Sequence, residues 1–157
     1  MSNPVDKVNS NANFVRVKGK TEMREVLFSA SVAALEWGLV YPNPSAAGQY
    51  TVADATAWGN MWVIRQTIAS TDSDYASTKL VKVEFPIEQN VEWKFTAGGA
   101  LAQTHEGTYI DLTDYVTANE AASSKDVILV TKYVSATEGR GILAGNVWAG
   151  IWMSATT

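Results

Sequence analysis

Cysteine is absent from this 157-residue chain, so disulfide frameworks, thiolate metal sites and cysteine nucleophiles are excluded together. Histidine occurs once, at His105, which excludes a histidine-rich metal centre and leaves any histidine-dependent triad a single base. Charge is sparse, at 18% of residues, and the balance is −4 with an isoelectric point near 4.9. A protein that neutralises phosphates carries the opposite footprint, so no nucleic-acid partner is expected. The one basic stretch, Lys18, Lys20 and Arg24, reads as a solvated face. Long hydrophobic runs are missing too. The most apolar stretch, 26–41, is interrupted by Glu36 and falls short of the ~20 residues that cross a bilayer. Residues 1–13 are polar and Asn-rich, with no apolar segment behind a charged start. Asn43 is followed by Pro44, so Asn43-Pro44-Ser45 fails as a glycosylation acceptor. No membrane partner is expected, and the protein is expected to be made and used without crossing one.

What is present fits one globular domain. Apolar residues make up 46% of the chain, and a domain of this size buries roughly 68–70% of the surface its unfolded chain exposes. Residues 1–20 read as a polar N-terminal arm, because Ser2, Asn3, Pro4, Asn9, Ser10, Asn11 and Asn13 bury too little to offset their ordering entropy. A single β-rich domain is expected over 21–157. Alternation predicts a strand at 14–18, stopped by Gly19. The segment 25–41 reads as strand with a bulge or bend near Gly38, although Ala30, Ala33, Ala34 and Leu35 favour helix on propensity; 42–48 reads as a proline-fixed loop. Further strands are predicted at 49–55 and from Met61, where both alternating faces are apolar enough to be buried. Leu80, Lys82 and Glu84 alternate with Val81, Val83 and Phe85, giving one mainly charged and one apolar face. Val91, Trp93 and Phe95 alternate with Glu92 and Lys94, and the two runs read as a hairpin-like unit.

Downstream, 107–112 is a strand candidate with a short helical turn at 111–115. Residues 119–125 read as a polar loop and 126–134 as a buried strand rich in β-branched residues. Residues 136–141 read as a turn, and the apolar tail 142–153 closes the sheet. About eight short strands punctuated by Gly, Pro and Asp predict an all-β barrel or sandwich.

Chemical motifs were tested against the spacing their chemistry needs. Gly19-Lys20-Thr21 resembles the end of a phosphate loop, but the required earlier glycine falls on Phe14. Asp72-Ser73-Asp74 lacks the glycine and terminal glutamate of a calcium loop. Gly-x-Ser-x-Gly is absent, and His105 reads as structural or surface. Among the carboxylates Glu84, Glu88, Glu92, Asp111 and Asp114, spacing singles out no catalytic pair. A carboxylate enzyme therefore stays the remotest reading; the sequence predicts no catalytic residue, no cofactor and no metal site. The compositional oddity is six tryptophans, at 37, 58, 62, 93, 148 and 152. Trp58, beside Gly59 and Asn60 at a break, is the one expected to be exposed, as an interface anchor or a sugar platform.

The order of features resembles the head-decoration, or capsid-stabilisation, proteins of tailed bacteriophages. The resemblance lies in Trp37-Gly38-Leu39-Val40-Tyr41, the Ala/Thr-rich run from Gly48 to Ala57, and Trp62-Val63-Ile64. It continues in Val91-Glu92-Trp93-Lys94-Phe95, Gly107-Thr108-Tyr109-Ile110-Asp111-Leu112 and Val127-Ile128-Leu129-Val130. It implies a non-enzymatic virion protein on the outer capsid surface, bound to the major capsid protein of a phage head and forming a homo-oligomer, a trimer above all. The arm and the aromatic loops would then dock, with Asn3, Asn11, Asn13, Phe14 and Trp58 as partner-binding residues. The competing expectation is a carbohydrate-binding β-sandwich that presents Trp58 or Tyr50 to sugars.

Overall fold

A computed structural model of the protein describes residues 13–147. Within them the fold is all-β, as expected, but built from eleven strands rather than eight. Five of these close a barrel: β2 (Thr21–Phe28), β3 (Leu39–Pro42), β4 (Tyr50–Val52), β5 (Trp62–Ile64) and β6 (Lys79–Pro86), in the order β2-β4-β3-β5-β6. The seam between β2 and β4 is parallel and the other pairings are antiparallel. Closure removes free edges from this half of the molecule.

The other six strands form an open sheet. They are β1 (Val15–Lys18), β7 (Glu92–Thr96), β8 (Tyr109–Asp114), β9 (Thr117–Asn119), β10 (Ile128–Ser135) and β11 (Glu138–Leu143), in the order β1-β7-β11-β10-β8-β9.

Two apolar clusters account for the stability of this arrangement. Phe28, Val40, Ile64, Val81 and Val83 fill the barrel with Ala34 and Ile68. Leu39, Val63 and Met61 turn the other way, onto Trp93, Phe95, Ile110, Leu112 and Ile128 of the sheet. Adjacent residues on β3 and β5 thus belong to different cores, because side chains alternate along a strand. The double-sided apolar pattern read from Met61 onward has this cause.

Several expectations are corrected. The arm does not extend to residue 20: Phe14 is 1% exposed within the sheet-side core, its amide donates to the Trp37 carbonyl at 3.1 Å, and β1 pairs with β7. The domain therefore already includes residue 13. The segment 29–38 is irregular rather than strand. The positive φ falls on Trp37, not Gly38; a Cβ at Gly38 would lie 2.3 Å from the Tyr115 ring, so that glycine serves close packing. The β6–β7 hairpin does not form. β6 pairs with β2 and β5, while β7 pairs with β1 and β11. The connection turns at Asn90, whose φ is +61°, and is held by Asn146, which accepts from the Val91 amide at 2.7 Å and donates to the Glu88 carbonyl at 2.7 Å.

Residues 111–114 continue β8 instead of forming a helical turn, and 138–141 belong to β11 instead of a turn. Of the predicted tail, Ile142 and Leu143 end β11; Trp148 and Trp152 lie outside the described residues.

Candidate docking surface

Among the described residues Trp58 is the most exposed of the large apolar side chains, at 70%. Its loop is nonetheless tightly built. Asp54 accepts from the Thr56 amide at 2.8 Å and from the Thr56 hydroxyl at 2.6 Å, an arrangement in which a carboxylate caps its own turn. The Ala57 amide donates to the Asp54 carbonyl at 3.1 Å, and Ala57 itself is buried. Gly59 follows at φ +89°, a conformation that glycine adopts without strain. The hydrogen bond from the Thr56 side chain, then that from its amide, holds the Asp54 carboxyl below its usual pKa against the opposing effect of burial. A large aromatic side chain is thus presented to solvent by an ordered turn.

The other aromatic feature is a run of rings on the barrel. Tyr50 stacks on Trp62 with centroids 4.6 Å apart, and Trp62 meets Phe85 edge-on at 4.7 Å. The Arg24 guanidinium lies 3.8 Å over Phe85 and pairs with Glu22. Trp62 and Phe85 line a cleft of about 190 Å³ with Asn60, Met61, Pro86 and Asn146. Tyr50 is half-buried, which raises its hydroxyl pKa, so this ring is partly covered rather than a flat exposed platform.

Four of the five carboxylates weighed earlier, all but Glu92, hold structure. Glu84 lies between barrel and sheet. It accepts from Thr21 Oγ1 at 2.6 Å, Arg65 Nη1 at 2.7 Å and Arg16 Nε at 3.2 Å. Asp111 accepts from the amides of Ser124, Lys125 and Asp126 and from the Ser124 hydroxyl. Glu88 accepts from the Lys20 amide at 2.9 Å, and Asp114 caps the Val116 amide at 2.9 Å.

A second cavity, of about 350 Å³, is lined by His105, Tyr109, Glu120, Ser123 and Asp126 among others. His105 Nδ1 accepts from the Ala102 amide at 2.9 Å, so in the neutral ring the proton sits on Nε2. Both Glu120 oxygens accept backbone amides, from Gly98 and Ala100. Burial works to raise the Glu120 pKa, and hydrogen bonds from its own, Ala100 and Gly98 amides outweigh it, leaving the pKa below its usual value. Among the described residues, no group of three or more His, Cys, Asp or Glu side chains is arranged to hold a metal ion.

Of the residues expected to bind a partner, Trp58 alone is placed in the open. Phe14 is core and Asn13 is buried at the start of the sheet; Asn3 and Asn11 lie outside the described residues. No strongly apolar or aromatic pattern marked Met23 and Leu80, yet both are exposed on neighbouring strands. The signal for them was faint: Leu80 stands among the outward positions of an alternating strand, where a polar residue is the usual choice.

In comparisons with known proteins, no family model matches the chain, and neither a curated protein nor a solved structure matches it.

Proposed function

We propose that the protein is a non-enzymatic structural component that docks on an assembled phage capsid and stabilises it. The observation that carries this reading is Trp58, a large exposed aromatic side chain on a turn already ordered by Asp54 and Ala57. Aromatic side chains of this kind anchor protein interfaces, and an ordered turn lowers the entropic cost of docking. Glu84, Glu88, Asp111 and Asp114 are each occupied in holding loops and strands. A body that binds only the mature lattice stabilises that lattice by mass action, and repeated copies add avidity. The resemblance to decoration proteins supplies the identity of the partner, the major capsid protein.

Co-sedimentation with phage capsids lacking accessory proteins tests the reading. A fixed copy number per capsid is expected, and Trp58→Ala is expected to weaken uptake about ten-fold or more, as truncating an interface anchor does. Deletion of 2–12, which stops short of the buried Asn13 and Phe14, is expected to weaken uptake while leaving the thermal midpoint unchanged. Capsids that take up no protein at any concentration sink the proposal.

A carbohydrate-binding module is the second reading, favoured by the partly exposed Tyr50–Trp62–Phe85 run beside a cleft with Asn60 on its wall. Sugar binding on a glycan array, lost in Trp62→Ala or Trp58→Ala, selects it over the capsid.

A further inference from the structure

Among the described residues, the outward face of the β2–β6 ribbon is covered by the sheet at one end and bare at the other. Register sets Met23 opposite Glu84, Glu25 opposite Lys82 and Leu27 opposite Leu80, and directly paired residues point to the same side of a ribbon. Glu84, beneath Arg16 of β1, marks where the cover ends. Beyond it Glu25, Leu27, Leu80 and Lys82 are all exposed. Leu80 keeps 60% of its surface in water and Met23 keeps 54%. On the opposite side of β6, Val81 and Val83 already fill the barrel. The barrel therefore gives the outward leucines nothing to pack on.

Charge on this face has a particular arrangement. One acid and one base stand side by side at the same level of the ribbon, next to a level occupied by two leucines. A partner of single charge sign leaves one of the two ions opposed. A second copy of the same face satisfies both.

We propose that this face pairs with itself in a second copy of the chain, about a two-fold axis running along the strands. Two face-to-face arrangements keep the strands aligned. With the axis across the strands, β2 lies on β2 of the partner copy, and acid meets acid where the axis passes Glu25. With the axis along the strands, β2 lies on β6 of the partner copy at the same level. Leu27 then rests on the partner's Leu80 and Glu25 faces the partner's Lys82, each contact occurring twice by symmetry. Complementary potentials of this kind fix the register of an interface. A three-fold assembly cannot be built on one self-matched face, so this pairing differs from the trimer that the resemblance implies. It is also independent of the capsid reading.

Sedimentation equilibrium of the full chain, over a wide concentration range, tests the proposal. A reversible monomer–dimer equilibrium is expected. Leu80→Lys is expected to give monomers with the circular dichroism and thermal midpoint of the parent chain. Lys82→Glu alone is expected to weaken the dimer roughly ten-fold through like-charge contacts, and adding Glu25→Lys is expected to restore it, since the exchanged charges are again complementary. A chain that stays monomeric, sediments as a trimer, or dimerises regardless of Leu80→Lys overturns the proposal. So does a dimer that the double exchange fails to restore. If the chain is monomeric but Leu80→Lys abolishes capsid uptake, the face belongs to the capsid contact and not to a second copy.

Discussion

With 5% of its side chain exposed, Glu84 would be costly to bury as an isolated charge, and its three donors are drawn from different parts of the fold. Thr21 opens β2, Arg16 belongs to β1, and Arg65 follows β5. Arg65 in turn pairs with Glu36 at 3.2 Å and lies 3.8 Å over the Trp37 ring, tying in the irregular segment before β3. Removing one partner of such a set leaves the others uncompensated. Glu84→Gln is expected to destabilise the fold by about 3 kcal/mol, the low end for a broken buried pair because Arg16 retains solvent access; urea unfolding measures it. Asp54 makes a pH prediction at the same scale. Its pKa is lowered in the fold, so its contribution to stability is present above the unfolded carboxylate value and lost as pH falls through the folded one. The acid limb of the stability–pH profile should therefore be shallower in Asp54→Asn than in the parent chain. Equal limbs in the two chains would place the acid sensitivity elsewhere. Neither role was legible from sequence. Glu84 alternates with Lys82 on a mainly charged strand face, and nothing local marks it for burial, since its covering arginines are distant along the chain.

β11 shows where local reading of an element fails. Gly139-Arg140-Gly141 carries the composition of a turn, yet it is a strand between β10 and β7. Register sets Gly139 opposite Phe95 and Gly141 opposite Trp93. A Cβ at Gly139 would come within 2.7 Å of Phe95 Cζ, and one at Gly141 within 2.6 Å of Ile128 Cγ2 and 2.7 Å of the Leu129 carbonyl oxygen. The glycines make room for neighbouring strands, a requirement set by residues far away in sequence. Gly141→Ala is expected to cost about 1–3 kcal/mol through overpacking, although alanine is the better strand former in isolation; a lowered urea midpoint at unchanged slope checks it. Strands whose own pattern carried the signal were legible. The 14–18 alternation gives β1, Val91, Trp93 and Phe95 do point into the core as β7 requires, and the β-branched run after Asp126 gives β10. Gly38 fell between these cases: the sequence marked it as special, but the structure assigns the bend to Trp37 and the close packing to Gly38.

At the scale of the molecule, two strands of the barrel, β3 and β5, feed side chains into both cores. Leu39 and Val63 face the sheet-side core, while their neighbours Val40 and Ile64 face the barrel interior. The apolar doubling of β5 was visible in the sequence, but the partition into a closed barrel and an open sheet was not. That partition depends on pairings such as β2 with β6, which alternation alone does not specify because register is a property of two strands. A cavity on one side of β3 or β5 should accordingly disturb both halves. Leu39→Ala opens the sheet-side core and Ile64→Ala the barrel, and each is expected to cost about 2–5 kcal/mol. If the two cores form one cooperative unit, tryptophan fluorescence and far-ultraviolet circular dichroism will report coincident urea transitions in the parent chain and in both variants. Trp93 and Trp62 pack in different cores, so fluorescence samples both. Transitions that separate in Leu39→Ala, with one probe moving ahead of the other, would show that the barrel survives loss of the sheet, and that β3 and β5 pack between two independent folding units rather than within one.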